Sequence, residues 1–113
     1  MDNVLSMLGL ATRARKIVTG ESFVVDAIRN KRVYLVFLAS DAGKNTFKRV
    51  TDKAKYYNVD VCTTYTSYEL SAAIGKDNRM VVGILDNGFA ISIMKKGCDC
   101  YGKKDEEKGG TNQ

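Results

Sequence analysis

The chain has 113 residues, 44% of them apolar and 27% charged, with a formal charge of +5, three cysteines, and neither histidine nor proline. A single domain of this length buries a core without help from metals or disulfides, and no apolar run approaches the roughly 20 residues of a helical membrane span. Without histidine the commonest general base, the Ser-His and Cys-His nucleophile pairs and most zinc sites are missing, so no catalysis, cofactor or metal is expected.

The charge is one-sided: residues 1–58 hold 11 Lys/Arg against 5 Asp/Glu, residues 59–113 hold 7 against 8. That is the electrostatic footprint of a nucleic-acid or anionic-surface binder, although simple solubility also explains it. In MDNVLSMLGLATRARK the charges follow the apolar part, the reverse of a secretory signal. The expected compartment is the cytoplasm, where an odd number of cysteines fits free thiols.

Asn3 to Ala14 reads as a helix, with Val4, Leu5, Leu8 and Ala11 at three- and four-residue steps. Lys16-Ile17-Val18 is a short extended piece, and Thr19-Gly20-Glu21-Ser22 a polar turn opening a second helix that runs to about Lys31 on Val24, Ala27 and Ile28. A helix start exposes unpaired N–H groups at the positive end of its dipole, so the Gly20 turn, preceded by Arg13, Arg15 and Lys16, suits an anion.

Val33 to Ala39 is a continuous β-branched and aromatic run, the pattern of a strand buried on both faces. Lys44 to Asn58 follows as a helix with Phe47, Val50, Ala54 and Tyr57 on one stripe, then a strand from Val59 to Thr64. Ser67 is expected to cap a short helix through Leu70 and Ile74, without a full capping box. Gly75 to Asn78 is a turn, Arg79 to Leu85 a third apolar strand, and Phe89 to Met94 a closing helix. Residues 97–113 are nearly free of apolar side chains and predict a disordered tail after one domain of residues 1–96. Alternating helices and strands predict an α/β fold, a three-layer α-β-α sandwich whose mixed sheet has an antiparallel part that pattern alone does not locate.

Ala42-Gly43-Lys44-Asn45-Thr46 fails as a phosphate loop, lacking Ser or Thr directly after the lysine. Cys98-x-Cys100 supplies too few ligands for zinc, with Cys62 far away in a strand. Asp41 and Asp86 end strands, where functional carboxylates often stand, but capping or turn roles suit them better. Tyr56, Tyr57, Tyr65 and Tyr68 are able to stack on bases, with a core role the stronger reading for Tyr57.

LGLATRARKIVTGE, AIRNKRVYLVFLASDAGKNT, KAKYYNV, ELSAAIGK and RMVVGILDNGFA occur in that order between residues 3 and 94. In order and spacing they resemble the L-seven-A-e family of ribosomal and kink-turn RNA-binding proteins, most closely its short bacterial YlxQ-type branch. The resemblance implies an α-β-α sandwich without enzymatic activity that binds structured RNA, a kink-turn or ribosomal RNA, through tandem sheared G·A pairs. On that implication Gly20 lets RNA approach the helix start, Arg13 and Lys16 meet phosphates, and the loop from Lys76 to Arg79 flanks an extruded nucleotide. Arg15, Glu21, Ser22, Phe23, Lys31 and Arg32 complete the candidate RNA-binding set. Family members that bind tightly carry a polar triad where this chain has Ser22, Phe23 and Asp26. Ser22 can hydrogen-bond a base, Phe23 can stack or pack, and Asp26 sets a negative charge near phosphates. The expected partners are structured RNA and ribosomal proteins, the expected state is a monomer, and no membrane is involved. The competing reading is a protein-interaction module of the translation or transcription machinery that has lost tight kink-turn recognition.

Overall fold

In the computed structural model, which describes residues 3–96 and the backbone of residues 100 and 101, helices and strands alternate along the chain. They are α1 (Asn3–Arg13), β1 (Ile17–Thr19), α2 (Glu21–Arg29), β2 (Leu35–Leu38), α3 (Lys44–Tyr56), β3 (Asp60–Cys62), α4 (Ser67–Ile74), β4 (Val81–Ile84), α5 (Asn87–Lys95) and β5 (Cys100–Tyr101). The short extended piece near Ile17 is a true strand.

The strands form one sheet in the order β1-β4-β2-β3-β5. Only β2 and β3 are parallel, joined by the α3 crossover, while β4 runs antiparallel to both β1 and β2. The antiparallel part that the sequence left open is therefore the insertion of β4, the last of the long strands, between the first two. Ile84 faces both Ile17 and Leu35, and Val82 faces both Thr19 and Phe37.

The continuous apolar run of β2 is explained by the two layers that cover it. Leu35 and Phe37 point into a core shared with Leu5 and Leu8 of α1, Leu70 and Ile74 of α4 and Ile93 of α5. Val36 and Leu38, one residue out of phase, point into a second core with Val24 and Ile28 of α2 and Val50 and Ala54 of α3. Alternate residues of an extended chain face opposite ways, so a strand between two cores must be apolar throughout. Gly83 of β4 belongs to the α2 side, where an added Cβ would stand 3.1 Å from Val18 Cγ1 and 3.3 Å from Val33 Cγ2.

Helix ends follow different rules at the two ends of the sheet. Thr66, not Ser67, caps α4: its hydroxyl accepts from Glu69 N–H at 3.2 Å and the Glu69 carboxylate accepts from Thr66 N–H at 2.9 Å, a complete capping box. Counting from Ser67 put the acid one position too early. Asp86 caps α5 by accepting from Phe89 N–H at 3.0 Å, the structural role expected of it. The helices α1, α2, α3 and α4 close alike, the residue after the final turn returning its N–H to a carbonyl five residues back: Lys16 to Ala11, Arg32 to Ala27, Val59 to Ala54 and Lys76 to Ser71. The residue before each of these is left-handed, at φ 61° for Arg15, 59° for Lys31, 60° for Asn58 and 72° for Gly75. Glycine adopts this conformation freely and asparagine tolerates it, but at arginine or lysine it costs about 1 kcal/mol or more.

Two expectations change. Cys62 is disulfide-bonded rather than a free thiol; in the pairing of β3 with β5 it stands opposite Cys100, a proximity invisible in a sequence separation of this size. Of the expected disordered tail, Cys100 and Tyr101 form β5; the rest of that segment lies outside the described residues.

Asp41 is also structural. Its carboxylate accepts from Ser67 N–H at 2.7 Å and from the Ser67 hydroxyl at 2.8 Å, tying the end of β2 to the first turn of α4. The backbone bond from Ser67, followed by its hydroxyl bond, holds the Asp41 carboxyl below its usual 3.8. A carboxyl depressed in the folded state stabilises the fold above its unfolded value, and that contribution disappears as pH falls through the lower folded value. Denaturant melts of the wild type and Asp41→Asn are expected to show a gap in stability near neutral pH that closes below about pH 3.8; a pH-independent gap would contradict this.

Candidate nucleic-acid interface

The N-terminus of α2 is fixed by Gly20. Its backbone, at φ 97° and ψ 140°, is one that an L side chain rarely adopts. Gly20 N–H donates to Val81 O at 3.0 Å and Gly20 O accepts from Val24 N–H at 2.9 Å, so the same residue ends β1, joins β4 and starts the helix. A Cβ here would lie 3.4 Å from Phe23 Cδ2, which shows how closely the Phe23 ring covers the glycine. Phe23 nevertheless remains 68% exposed. It does not pack beneath β1, because Val24, Val25 and Ile28 fill that face; of the two roles open to it, stacking keeps its geometric basis.

Because Gly20 is bonded to Val81, the α2 start lies beside the residues that lead into β4. Here the chain from Gly75 folds back along α4: Lys76 N–H donates to Ser71 O at 3.0 Å, and Arg79 N–H donates to the Ser71 hydroxyl at 2.8 Å. Ser71, 7% exposed, thus shapes this loop from inside; nothing in the sequence distinguishes it from any other serine on a helix. Between α4 and the loop is a cavity of about 450 Å³ bordered by Ser67, Tyr68, Ser71, Lys76, Asp77 and Asn78. Tyr68 is 81% exposed at its rim, whereas Tyr65 is buried under Phe37, their ring centroids 6.3 Å apart, and has no face left for a base. The Nε of Arg79 is buried without a hydrogen-bond partner among the described residues.

The starts of α2 and α3 are both capped by glycines, Gly20 and Gly43, which offer no side chain to the open N–H groups. Between them the Glu21 carboxylate accepts from the Thr46 hydroxyl at 2.8 Å and pairs with Arg49 at 2.9 Å, clamping the first turns of the two helices together. Both of its oxygens are occupied by the protein itself. Asp26 is paired with Arg29 at 2.6 Å, so its charge is locally compensated. Ser22 is exposed.

The candidate residues divide between two edges. Gly20, Glu21, Ser22 and Phe23 stand where β1 and β2 end and β4 begins, and Lys76 and Arg79 belong to the segment that leads into β4 there. Arg15 and Lys16 precede β1, and Lys31 and Arg32 follow α2, a helix of about 13 Å that returns to the opposite edge. Leu85 N–H donates to Lys16 O and Tyr34 N–H to Ile84 O, placing both basic pairs at the far end of β4. Arg13, at the end of α1, borders a groove of about 530 Å³ between α1 and α4. Spacing along the chain made Arg15 and Lys16 look adjacent to Gly20; the intervening strand separates them.

A model of the ribosomal protein L7Ae/L30e/S12e/Gadd45 family matches residues 2–94. The chain belongs to this family. It is 50% identical over 88 residues to the RNA-binding protein YlxQ of Bacillus subtilis (strain 168), covering 78% of the chain and 88% of that protein. Over 86 residues it is 45% identical to the RNA-binding protein YlxQ of Enterococcus faecium, covering 76% of the chain and 82% of the relative. Among solved structures, a protein of unknown function from Bacillus halodurans superposes with a TM-score of 0.82 at 43% identity, covering 85% of this chain and 97% of the other. The Giardia lamblia 15.5kD RNA binding protein superposes with a TM-score of 0.73 at 14% identity, covering 81% and 79%, and so shares the fold. Membership of the family, its YlxQ-type branch and its α-β-α sandwich are as the sequence resemblance implied. No helix of the described residues is long and apolar enough to cross a membrane.

The Glu21 clamp makes a direct prediction. Glu21→Gln removes a partly exposed ion pair but keeps an acceptor for Thr46, so urea denaturation should show a loss of no more than about 1 kcal/mol. A loss of about 3 kcal/mol, the scale of breaking a buried pair, would mean that the clamp is a major stabilising contact.

Proposed function

We propose that the chain is a non-catalytic, cytoplasmic and monomeric RNA-binding protein that recognises sharply bent RNA of the kink-turn type, in ribosomal RNA or another structured RNA, alone or beside ribosomal proteins. The observation that carries this reading is the juxtaposition of the Gly20–Phe23 helix start with the Lys76–Arg79 loop, fastened by the bond from Gly20 N–H to Val81 O. Family membership and relatives named as RNA-binding proteins support RNA as the ligand.

In this reading the RNA backbone comes close to Gly20, which has no side chain of its own, beside the Phe23 ring, and phosphate meets the open N–H groups of α2. Ser22 donates or accepts at a base edge, Phe23 stacks, and Lys76 and Arg79 hold the strand that leaves the kink. Arg13, Arg15, Lys16, Lys31 and Arg32 supply the positive field that draws RNA in, with a strong dependence on salt. Glu21 contributes by fixing the helix start against α3.

Titration of a kink-turn RNA, and of the same RNA with its G·A pairs replaced, is expected to give at least about tenfold weaker binding to the second, about 1.4 kcal/mol of recognition. Phe23→Ala should weaken the first by a similar factor, near the lower limit of base stacking. Equal affinity for both RNAs would exclude kink recognition. Retention of a protein partner after nuclease treatment, with no RNA affinity at moderate salt, would favour an interaction module, the reading to which Phe23 and Asp26 also lend themselves.

A further inference from the structure

The basic residues remote from Gly20 stand at the edge where α1, α2 and α3 end and β1, β2 and β3 begin. Arg15 and Lys31 occupy left-handed positions there, φ 61° and 59°, in turns that glycine or asparagine fills at Gly75 and Asn58. Both thus give up backbone stability that glycine would retain, and what each gains is an exposed cation. A strained conformation maintained at a surface points to a use for the side chain.

Lys16 and Arg32 follow them directly, and all four are exposed without an ion pair among the described residues. The pairs flank the end of β4, through Lys16 O on Leu85 N–H and Tyr34 N–H on Ile84 O, two strand spacings or roughly 10 Å apart. Between α2 and β3 lies a groove of about 360 Å³ bordered by Lys31, Tyr34, Tyr57 and Asn58. Tyr34 is 46% exposed, and Tyr56, 78% exposed, meets Tyr57 edge-on with centroids 4.9 Å apart. Of the acids at this edge among the described residues, Asp60 is buried and the Asp86 carboxylate is engaged in capping α5.

Unpaired cations beside exposed aromatic rings are the combination that holds single-stranded nucleic acid, phosphates on the cations and bases on the rings. We propose that this edge is a second RNA surface, which takes a single-stranded segment with its phosphates on Arg15, Lys16, Lys31 and Arg32 and a base on Tyr34. The inference rests on the reading of the chain as an RNA binder, but not on kink recognition. An RNA held at Gly20 would then be gripped again where an unpaired flank passes the other end of the sheet.

The left-handed turns allow a test in which loss of folding cannot imitate loss of binding. Full-length protein is titrated by fluorescence anisotropy with a short unstructured pyrimidine oligoribonucleotide. The double variant R15G/K31G should weaken binding about tenfold or more and reduce the slope of log K against log salt by roughly 1.4, two contacts on a single strand. Its melting temperature should rise by about 4 °C or more, because glycine relieves both turns. The conservative exchange R15K/K31R should restore affinity without the rise in melting temperature, and Tyr34→Ala should weaken the oligonucleotide at least about fivefold, the scale of one stacked base.

Wild-type affinity in R15G/K31G overturns the proposal, as does binding to anionic lipid vesicles by a wild-type protein that ignores the oligonucleotide. Equal binding of the kink-turn RNA and its G·A-replaced form sinks the kink reading alone, since the oligonucleotide contains no kink.

Discussion

The hydrogen bond from Gly20 N–H to Val81 O, with the β4 insertion that makes it possible, is the constraint on which the rest of the molecule turns. It forces β1 and β2, with α2 between them in the chain, onto opposite sides of a strand that is synthesised much later. With β4 in place the two cores separate cleanly, α1, α4 and α5 on one face and α2 and α3 on the other. The chain leading into β4 is then held next to the start of α2, and a candidate site of residues some 60 positions apart arises from one antiparallel pairing. Gly20 matters here because its positive-φ backbone, which an L side chain rarely adopts, turns the chain from strand to helix within a single residue.

Charge and backbone strain give the two edges of the sheet different characters. At the Gly20 edge, two glycine-capped helix starts offer N–H groups, while three of the acids nearby are bound by protein partners, Glu21 by Thr46 and Arg49, Asp41 by Ser67 and Asp26 by Arg29, and Asp77 of the loop stays exposed. At the far edge, the potential comes from full charges on Arg15, Lys16, Lys31 and Arg32. In our proposal the first recognises geometry, since N–H groups are fixed in direction, and the second neutralises phosphates over a broad area with little demand on sequence. The chain belongs to a family with relatives named as RNA-binding proteins, and in our proposal both edges take RNA.

What was legible in the sequence follows from how local each signal is. The amphipathic stripes of α1, α2 and α3 and the unbroken apolar run of β2 are set by neighbouring residues and by burial, and they identified the elements and the sandwich. Gly20 and Phe23 stood out as candidate site residues because a helix start is a local event. The capping box of α4 is equally local, Thr66 with Glu69, one residue before the Ser67 expected as its cap.

Pairing of strands, by contrast, is decided by which elements cover which faces, and only the tertiary structure shows that β4 enters between β1 and β2. The same holds for the loop from Lys76 to Arg79, shaped by the buried Ser71, and for Cys62, which is disulfide-bonded and stands opposite Cys100 where β5 pairs with β3 from far along the chain. It holds most of all for the basic residues. Arg15 and Lys16 stand five and four positions from Gly20, yet a three-residue strand carries the chain across the sheet, about 10 Å, and leaves them at its other edge. Sequence alone determined the elements, the positive charge and the glycine that starts α2; tertiary structure decided which charges share a surface, because an extended strand separates in space what it joins in the chain.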